Sequence, residues 1–275
     1  MRRSLTPIAL ACLLASGSVL AAEACKPAHK FETVSPGTLT VVTMVIPPFS
    51  LPEGGKINGV DGEIITRIAE MECLTLNPIV ADTRAVMQYV VTGQADVAVG
   101  NWFRTATRAK AMGMTNPVYL DSLAIYTKDG TRSLGELLDK GVRVGTVQGY
   151  NWVSDAQKMF GASAKLYPSP VALAQDLEAG RIDAGLDSYS GGVYAQQQGS
   201  LKGLKIVHAT PDERVKASIE PAQIAFTFAK GNDVLGNALN DDIKALQEKG
   251  EIVKALTNFG LSAKDAEVGA PRLIE

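Results

Sequence analysis

The sequence predicts an α/β protein of two similar lobes, each a mainly parallel sheet flanked by helices, with a ligand cleft between them. Three observations point there. Short β-branched or apolar runs alternate with amphipathic runs along most of the chain, the pattern of parallel strands joined by right-handed helical crossovers. The 275 residues, 46% hydrophobic and 20% charged, suffice for one large core or two smaller ones. The stretch TGQADVAVGN (92–101) also aligns without gaps on AGRIDAGLDS (179–188), matching Gly93 to Gly180, Asp96 to Asp183 and Gly100 to Asp187. Each copy is a helix stop, a two-residue spacer, an Asp and a short strand, which suggests two lobes of similar build.

The first 24 residues stand apart. A basic start (MRRS), an apolar stretch (IALACLLA) too short to span a bilayer and a run of small residues (SGSVLAAEA) read as a cleaved secretory leader, cut after Ala21, Ala22 or Ala24. Glu23, two residues before Cys25, argues against a lipoprotein signal. Residues 25–36 read as a tail. TLTVVTMVI (38–46) is the first strand, PPFSLPEGGKINGV a loop, and DGEIITRIAEMEC (61–73) a helix with Asp61 as a plausible cap and Glu63 at its positive end. LTLNPIVA is a strand, TRAVMQYVVTG a helix stopped at Gly93, and ADVAVG a strand. The second half repeats the rhythm. VRVGTVQG is a strand, YNWVSDAQKMFG a helix opened by Gly149, AKLYP a strand, SPVALAQDLEAG a helix with Ser169 as cap and Pro170 in its first turn, and RIDAGLD a strand. Near the end, Ile243, Leu246, Ile252, Val253 and Leu256 form the buried stripe of one or two helices, followed by a loose tail over 263–275.

Charge and rare residues narrow the function. Cleaving the leader removes Arg2 and Arg3, leaving 25 of the 27 Lys and Arg against at most 29 Asp and Glu. With no basic tract, nucleic acid is not an expected partner. Cys12 leaves with the leader, so Cys25 and Cys73 are expected to form one disulfide in an oxidising compartment, with two free thiols as the alternative. The two histidines, His29 and His208, show no metal-ligand spacing and read as surface residues; no metal or cofactor is expected.

In open parallel sheets ligands sit beyond the carboxyl ends of strands. Those positions hold Asn101, Trp102, Phe103 and then Arg108 in one half, and Asp187 with Ser188 in the other. Thr105 can cap a short helix that carries Arg108 near its positive end, a pairing suited to a carboxylate. Gly149 can aim the amides of Tyr150 and Asn151 at the same anion, and Asp187 offers an acceptor for an ammonium. A cation and an acid on different lobes suit an α-amino acid zwitterion. The competing reading has Arg108 in a surface ion pair and Asp187 as a helix cap.

LTVVTMVIPPFS, INGVDGEIITRIAE, ADVAVGNWFRTATRAKAMGMTNPVY, VRVGTVQGYNW, AGRIDAGLDS and IAFTFAKGN, in this order over roughly residues 37–260, resemble the solute-binding proteins of polar amino-acid ABC transporters, family 3. The resemblance implies the two-lobed periplasmic-binding-protein fold, with lobe 1 over 37–122 plus 222–262 and lobe 2 over 123–221. It implies that Arg108 grips the ligand carboxylate and Asp187 the amino group. It places Asn101, Trp102 and Phe103 in the strip around the ligand backbone, Asn151 and Tyr150 at the carboxylate-binding turn, and Phe49 over the ligand side chain. It implies a monomer in the periplasm that hands an amino acid or similar solute to an inner-membrane permease without covalent chemistry. Two departures bear on specificity. Asn101-Trp102-Phe103 replaces small hydroxyl residues, and Thr43 and Ile46 stand where cation-selective members carry an acid and an aromatic ring, which disfavours a basic ligand. An exported cyclohexadienyl-dehydratase-like enzyme and a ligand sensor for a membrane receptor are the alternatives on this fold; the strand end LDSYSGG offers neither Glu nor His as a general acid.

Overall fold

A computed structural model describes residues 25–274. The leader expected over residues 1–24, with its cleavage positions and Cys12, lies outside the described residues. Among the described residues there are two main sheets and a two-stranded antiparallel hairpin, Leu51–Glu53 with Lys56–Asn58, inside the stretch read from the sequence as a loop. The first runs, in spatial order, Thr75–Val80, Thr38–Thr43, Val97–Phe103, Ala222–Ala229 and Met112–Met114, with Leu120–Asp121 also paired to Ala222–Ala229. The second runs Ala164–Tyr167, Val144–Val147, Ala184–Ser188, Leu123–Thr127 and Lys205–His208. Helices flank both, giving a two-lobed α/β protein.

The expected repeat is structural. Val97–Phe103 lies parallel to Thr38–Thr43, as Ala184–Ser188 lies parallel to Val144–Val147. Gly93 and Gly180 follow the helices Thr83–Val91 and Pro170–Glu178 with φ of 68° and 67°, the left-handed geometry glycine adopts freely. Asp96 accepts the amides of Val34 and Thr40 at 2.8 and 2.7 Å, while Asp183 accepts the amide of Arg143 at 2.9 Å and its guanidinium at 2.7 Å. Each Asp thus anchors the neighbouring parallel strand of its own sheet, at Thr40 within Thr38–Thr43 and at Arg143 just before Val144–Val147.

The sheets are mixed rather than mainly parallel. The chain passes from the first sheet to the second between Asp121 and Leu123 and returns between His208 and Ala222. The strands arriving through these crossings, Leu123–Thr127 and Ala222–Ala229, pair antiparallel with the parallel set. Alternation of helices and strands cannot reveal that reversal.

Local signals held where the chemistry is short-range. Ser169 accepts the amide of Ala172 and Pro170 opens that helix. Thr105 accepts the amide of Arg108 at 3.2 Å, capping the helix Ala106–Ala111. Four readings change. Gly59, not Asp61, precedes the helix Val60–Met71. A turn follows Gly149, so the helix there is Val153–Phe160 and the Tyr150 amide goes to the carbonyl of Val147. Gly250 separates the helices Asp233–Glu248 and Glu251–Asn258, and Val253 points outward while Ile243, Leu246, Ile252 and Leu256 are buried. The tail is not loose. Gln223 donates to the carbonyls of Val268 and Ala270 at 2.7 Å, and the amide of Ile274 donates to Arg104 at 2.9 Å. Cys25 and Cys73 are disulfide-bonded with Cα atoms 5.7 Å apart, as expected.

Candidate functional site

The strand Val97–Phe103 carries a bulge that aims its end. Ala98 pairs with Thr227 and Trp102 with Ala225, so between these pairs three residues (Val99, Gly100, Asn101) face one (Phe226). Gly100 and Asn101 take positive φ there, 127° and 57°. Asp61 fixes this bend. Fully buried, it accepts the amides of Gly100 and Asn101 at 2.8 and 2.9 Å on one oxygen and the Tyr119 hydroxyl at 2.7 Å on the other. Burial pushes its carboxyl up to about 6, against the pull of those donors.

The bend points Asn101 into a cleft between the lobes. Asn101, Trp102, Phe103 and Arg108 border it from lobe 1, with Tyr150, Asn151, Trp152 and Ser188 facing them from lobe 2. The space left is about 20 Å³, room for roughly one water. The lobes are closed. Phe103 meets Trp152 edge to face at 5.6 Å, and a Cβ on Gly149 would stand 2.8 Å from Cγ2 of Thr83 in the opposite lobe.

Arg108 is the charged group of this cleft. Its side chain donates to the carbonyl of Phe103 at 2.9 Å and its Cζ lies 4.9 Å from the Trp102 ring centre. Part of the residue meets solvent, yet burial of the guanidinium lowers it to about 10. Among the described residues, none of the salt bridges includes it. The surface ion pair considered from the sequence is therefore absent. The Thr105 cap already takes the Arg108 amide, so the guanidinium rather than the helix end is left to meet an anion.

Buried polar atoms without partners gather around it. Among the described residues, seven carry such atoms, and three of these, Asn101 (Oδ1), Trp102 (Nε1) and Tyr150 (hydroxyl), border the cleft. An unmade buried hydrogen bond costs about 1–3 kcal/mol, so these are groups that a polar solute in the cleft could satisfy. Asp187 sits one residue before Ser188, buried, and accepts the Ser188 amide at 2.7 Å. Burial pushes its carboxyl up to about 7, opposed by that amide and by the Tyr150 hydroxyl close by. It does not cap a helix; Ser188 does, accepting the amide of Gly191.

Of the sequence-predicted residues, Asn101, Trp102, Phe103, Arg108, Tyr150 and Asn151 come together. Asp187 does not itself border the cleft, though its neighbour Ser188 does, and neither does Phe49. Phe49 is fully buried and stacked on Tyr119 at 5.5 Å, because its carbonyl accepts the Asp61 amide and turns the ring into the core of lobe 1. Sequence reasoning missed Asp121. That buried acid accepts from Asn101 Nδ2 at 2.7 Å and from the Ser188 hydroxyl at 2.6 Å, tying the two lobes behind the cleft. Its position as a lone acid in the apolar run VYLDSLAIY was the available signal. Trp152 is both buried and at the cleft, with its indole N–H donated to the Thr146 hydroxyl at 2.8 Å. A larger groove, about 820 Å³, lies on the outer face of lobe 1 between the helices Val60–Met71 and Glu251–Asn258; it holds none of the orphaned polar atoms.

Two α/β lobes closed over an uncompensated guanidinium define a solute-binding protein. The chain belongs to the bacterial extracellular solute-binding proteins, family 3, which it matches over residues 39–261. It is 27% identical over 217 residues to the probable amino-acid-binding protein YxeM of Bacillus subtilis (strain 168), covering 75% of this chain and 77% of that protein. It is also 27% identical over 210 residues to a probable amino-acid ABC transporter-binding protein of Haemophilus influenzae, covering 74% and 77%. Its fold resembles that of an ABC uptake transporter substrate-binding protein from Streptococcus pneumoniae with bound histidine, at a TM-score of 0.73 and 17% identity, covering 86% of this chain and 95% of that one.

Proposed function

We propose that this protein is the periplasmic substrate-binding component of an ABC importer and captures an amino acid, or a solute with the same zwitterionic head, by closing its lobes. Arg108 receives the carboxylate, Asn101 and Asp187 receive the amino group, and the aromatic wall of Phe103, Tyr150 and Trp152 meets the side chain. A cleaved leader over residues 1–24 would deliver the protein to the periplasm, where an inner-membrane permease takes the solute from the closed form. The protein binds without covalent chemistry.

The observation that carries this reading is a guanidinium at the cleft with no acid in salt-bridge reach among the described residues. One ion pair at ~4 Å in an effective dielectric of about 20 gives roughly 4 kcal/mol before desolvation. Micromolar affinity needs about 8 kcal/mol, so burial of the ligand's apolar part must supply the rest. The relatives named as amino-acid-binding support the solute class. With room for about one water in this closed form, the cleft has to open to admit any of these solutes.

A thermal-shift screen of the leaderless protein against the amino acids and uncharged or zwitterionic osmolytes tests this reading. One or a few stabilisers with a free carboxylate are expected. Silence across the whole panel, or stabilisation only by solutes lacking a carboxylate, contradicts it.

A further inference from the structure

We propose that His29, Glu72 and Asp242 form a binding site for a zinc-type divalent cation that clasps the N-terminal tail onto lobe 1. The three residues are 43 and 170 or more positions apart in sequence and converge where the tail crosses the end of helix Val60–Met71 and the face of helix Asp233–Glu248. One ligand atom from each lies within 4.8 Å of the others. This site is separate from the cleft, and the inference does not rest on the ligand proposed there.

Asp242 is the observation that asks for a cation. Its side chain is 1% exposed, yet neither carboxylate oxygen has a hydrogen-bond donor. Glu72, also 1% exposed at its side chain, stands beside it. Two buried acids with one imidazole between them are short of positive charge. Among the described residues, no Lys or Arg forms a salt bridge with either acid, and the half-buried His29 is their sole basic partner. A buried carboxylate without a donor or a cation is costly, and a divalent ion on two carboxylates and a neutral imidazole is charge-neutral.

The geometry is prepared on the histidine side. Glu72 accepts the His29 amide at 2.9 Å, which fixes the residue and turns Nδ1 toward the acids. Nδ1 lies 2.6 Å from Glu72 Oε1 and 3.8 Å from Asp242 Oδ1. Tetrahedral zinc with bonds near 2.1 Å separates its ligands by about 3.4 Å, so the 2.6 Å hydrogen bond between Nδ1 and Glu72 would open by about 0.8 Å to admit it. Nε2 faces Asp241 Oδ2 at 3.5 Å, the outer carboxylate that commonly orients a metal-bound imidazole. One nitrogen and two carboxylates suit zinc better than calcium or magnesium, which prefer oxygen donors alone. The neighbouring Cys25–Cys73 bond ties the same tail covalently, and Glu72 directly precedes Cys73.

The test is calorimetric titration of tag-free, leaderless, chelator-stripped protein with zinc chloride. One zinc per chain at micromolar affinity or tighter is expected. Asp242→Asn and His29→Ala should each weaken binding at least tenfold, while His208→Ala leaves it unchanged. Asp242→Asn keeps the shape and removes an unpaired charge, so its metal-free form should melt no lower than the parent, which separates a lost site from a lost fold. No zinc uptake, full binding by both variants, or displacement of zinc by equimolar calcium overturns the proposal.

Discussion

Phe103, at the end of a lobe 1 strand, meets the edge of Trp152 from lobe 2 with ring centres 5.6 Å apart and planes at 62°. Such edge-to-face pairs add about 0.5–1.5 kcal/mol beyond their buried area, so the contact helps hold the lobes shut. Tyr150 packs on the same indole at 4.8 Å, so the three rings line one continuous part of the cleft.

Closure also depends on the absence of a side chain at Gly149. Its φ of 81° disfavours any other residue, and a Cβ would fall 2.8 Å from Thr83 of the other lobe. Gly149→Val should prop the lobes apart. Small-angle scattering with saturating ligand is expected to give a larger radius of gyration than the parent, with at least tenfold weaker binding. A variant that closes and binds normally would show that the two lobes do not meet there in the bound form.

Asp187 gives the ligand-free protein a pH signature. Its folded-state carboxyl lies near 7, above the ordinary 3.8, because it is buried. The folded state therefore holds this proton more tightly than the unfolded chain. The stability it contributes is complete below about pH 4 and is lost as pH rises through about 7. Asp61, near 6, and His29, also raised, act in the same direction. Asp183 and Asp212, held below the usual range by Arg143 and Arg214, matter only in stronger acid. Melting temperature without ligand should fall from about pH 5 to about pH 8, and Asp187→Asn should flatten part of that slope. An identical slope in the variant contradicts the assignment.

Asp61 should prove structural. Asp61→Ala leaves the amides of Gly100 and Asn101 and the hydroxyl of Tyr119 without their acceptor. A loss of about 3 kcal/mol or more in urea unfolding is expected. Because the bend it holds also aims Asn101, affinity should fall with stability. A variant as stable as the parent would mean the bend is held by something else.

The fold and the heart of the cleft were legible because their signals are local. The Gly–spacer–Asp–strand repeat, the Ser169–Pro170 helix start and the Thr105 cap all act within a few residues, and Arg108 follows directly on a strand end. What stayed hidden depends on single contacts across long stretches of chain. The antiparallel entry of Leu123–Thr127, the inward turn of Phe49 against Tyr119, the grip of Gln223 on the C-terminal tail and the meeting of His29 with Glu72 and Asp242 leave no periodicity to read. Asp121 had only a faint mark, an acid alone in an apolar run.

Arg108 is where the reading is most exposed. The decisive measurement is calorimetric titration of the best stabiliser from the solute screen into the parent and into Arg108→Ala, with urea unfolding to verify that the variant is folded. The charge–charge contact at the cleft predicts at least a hundredfold loss of affinity in a variant of near-parental stability. Binding within threefold of the parent would contradict it, and the carboxylate would have to be held elsewhere.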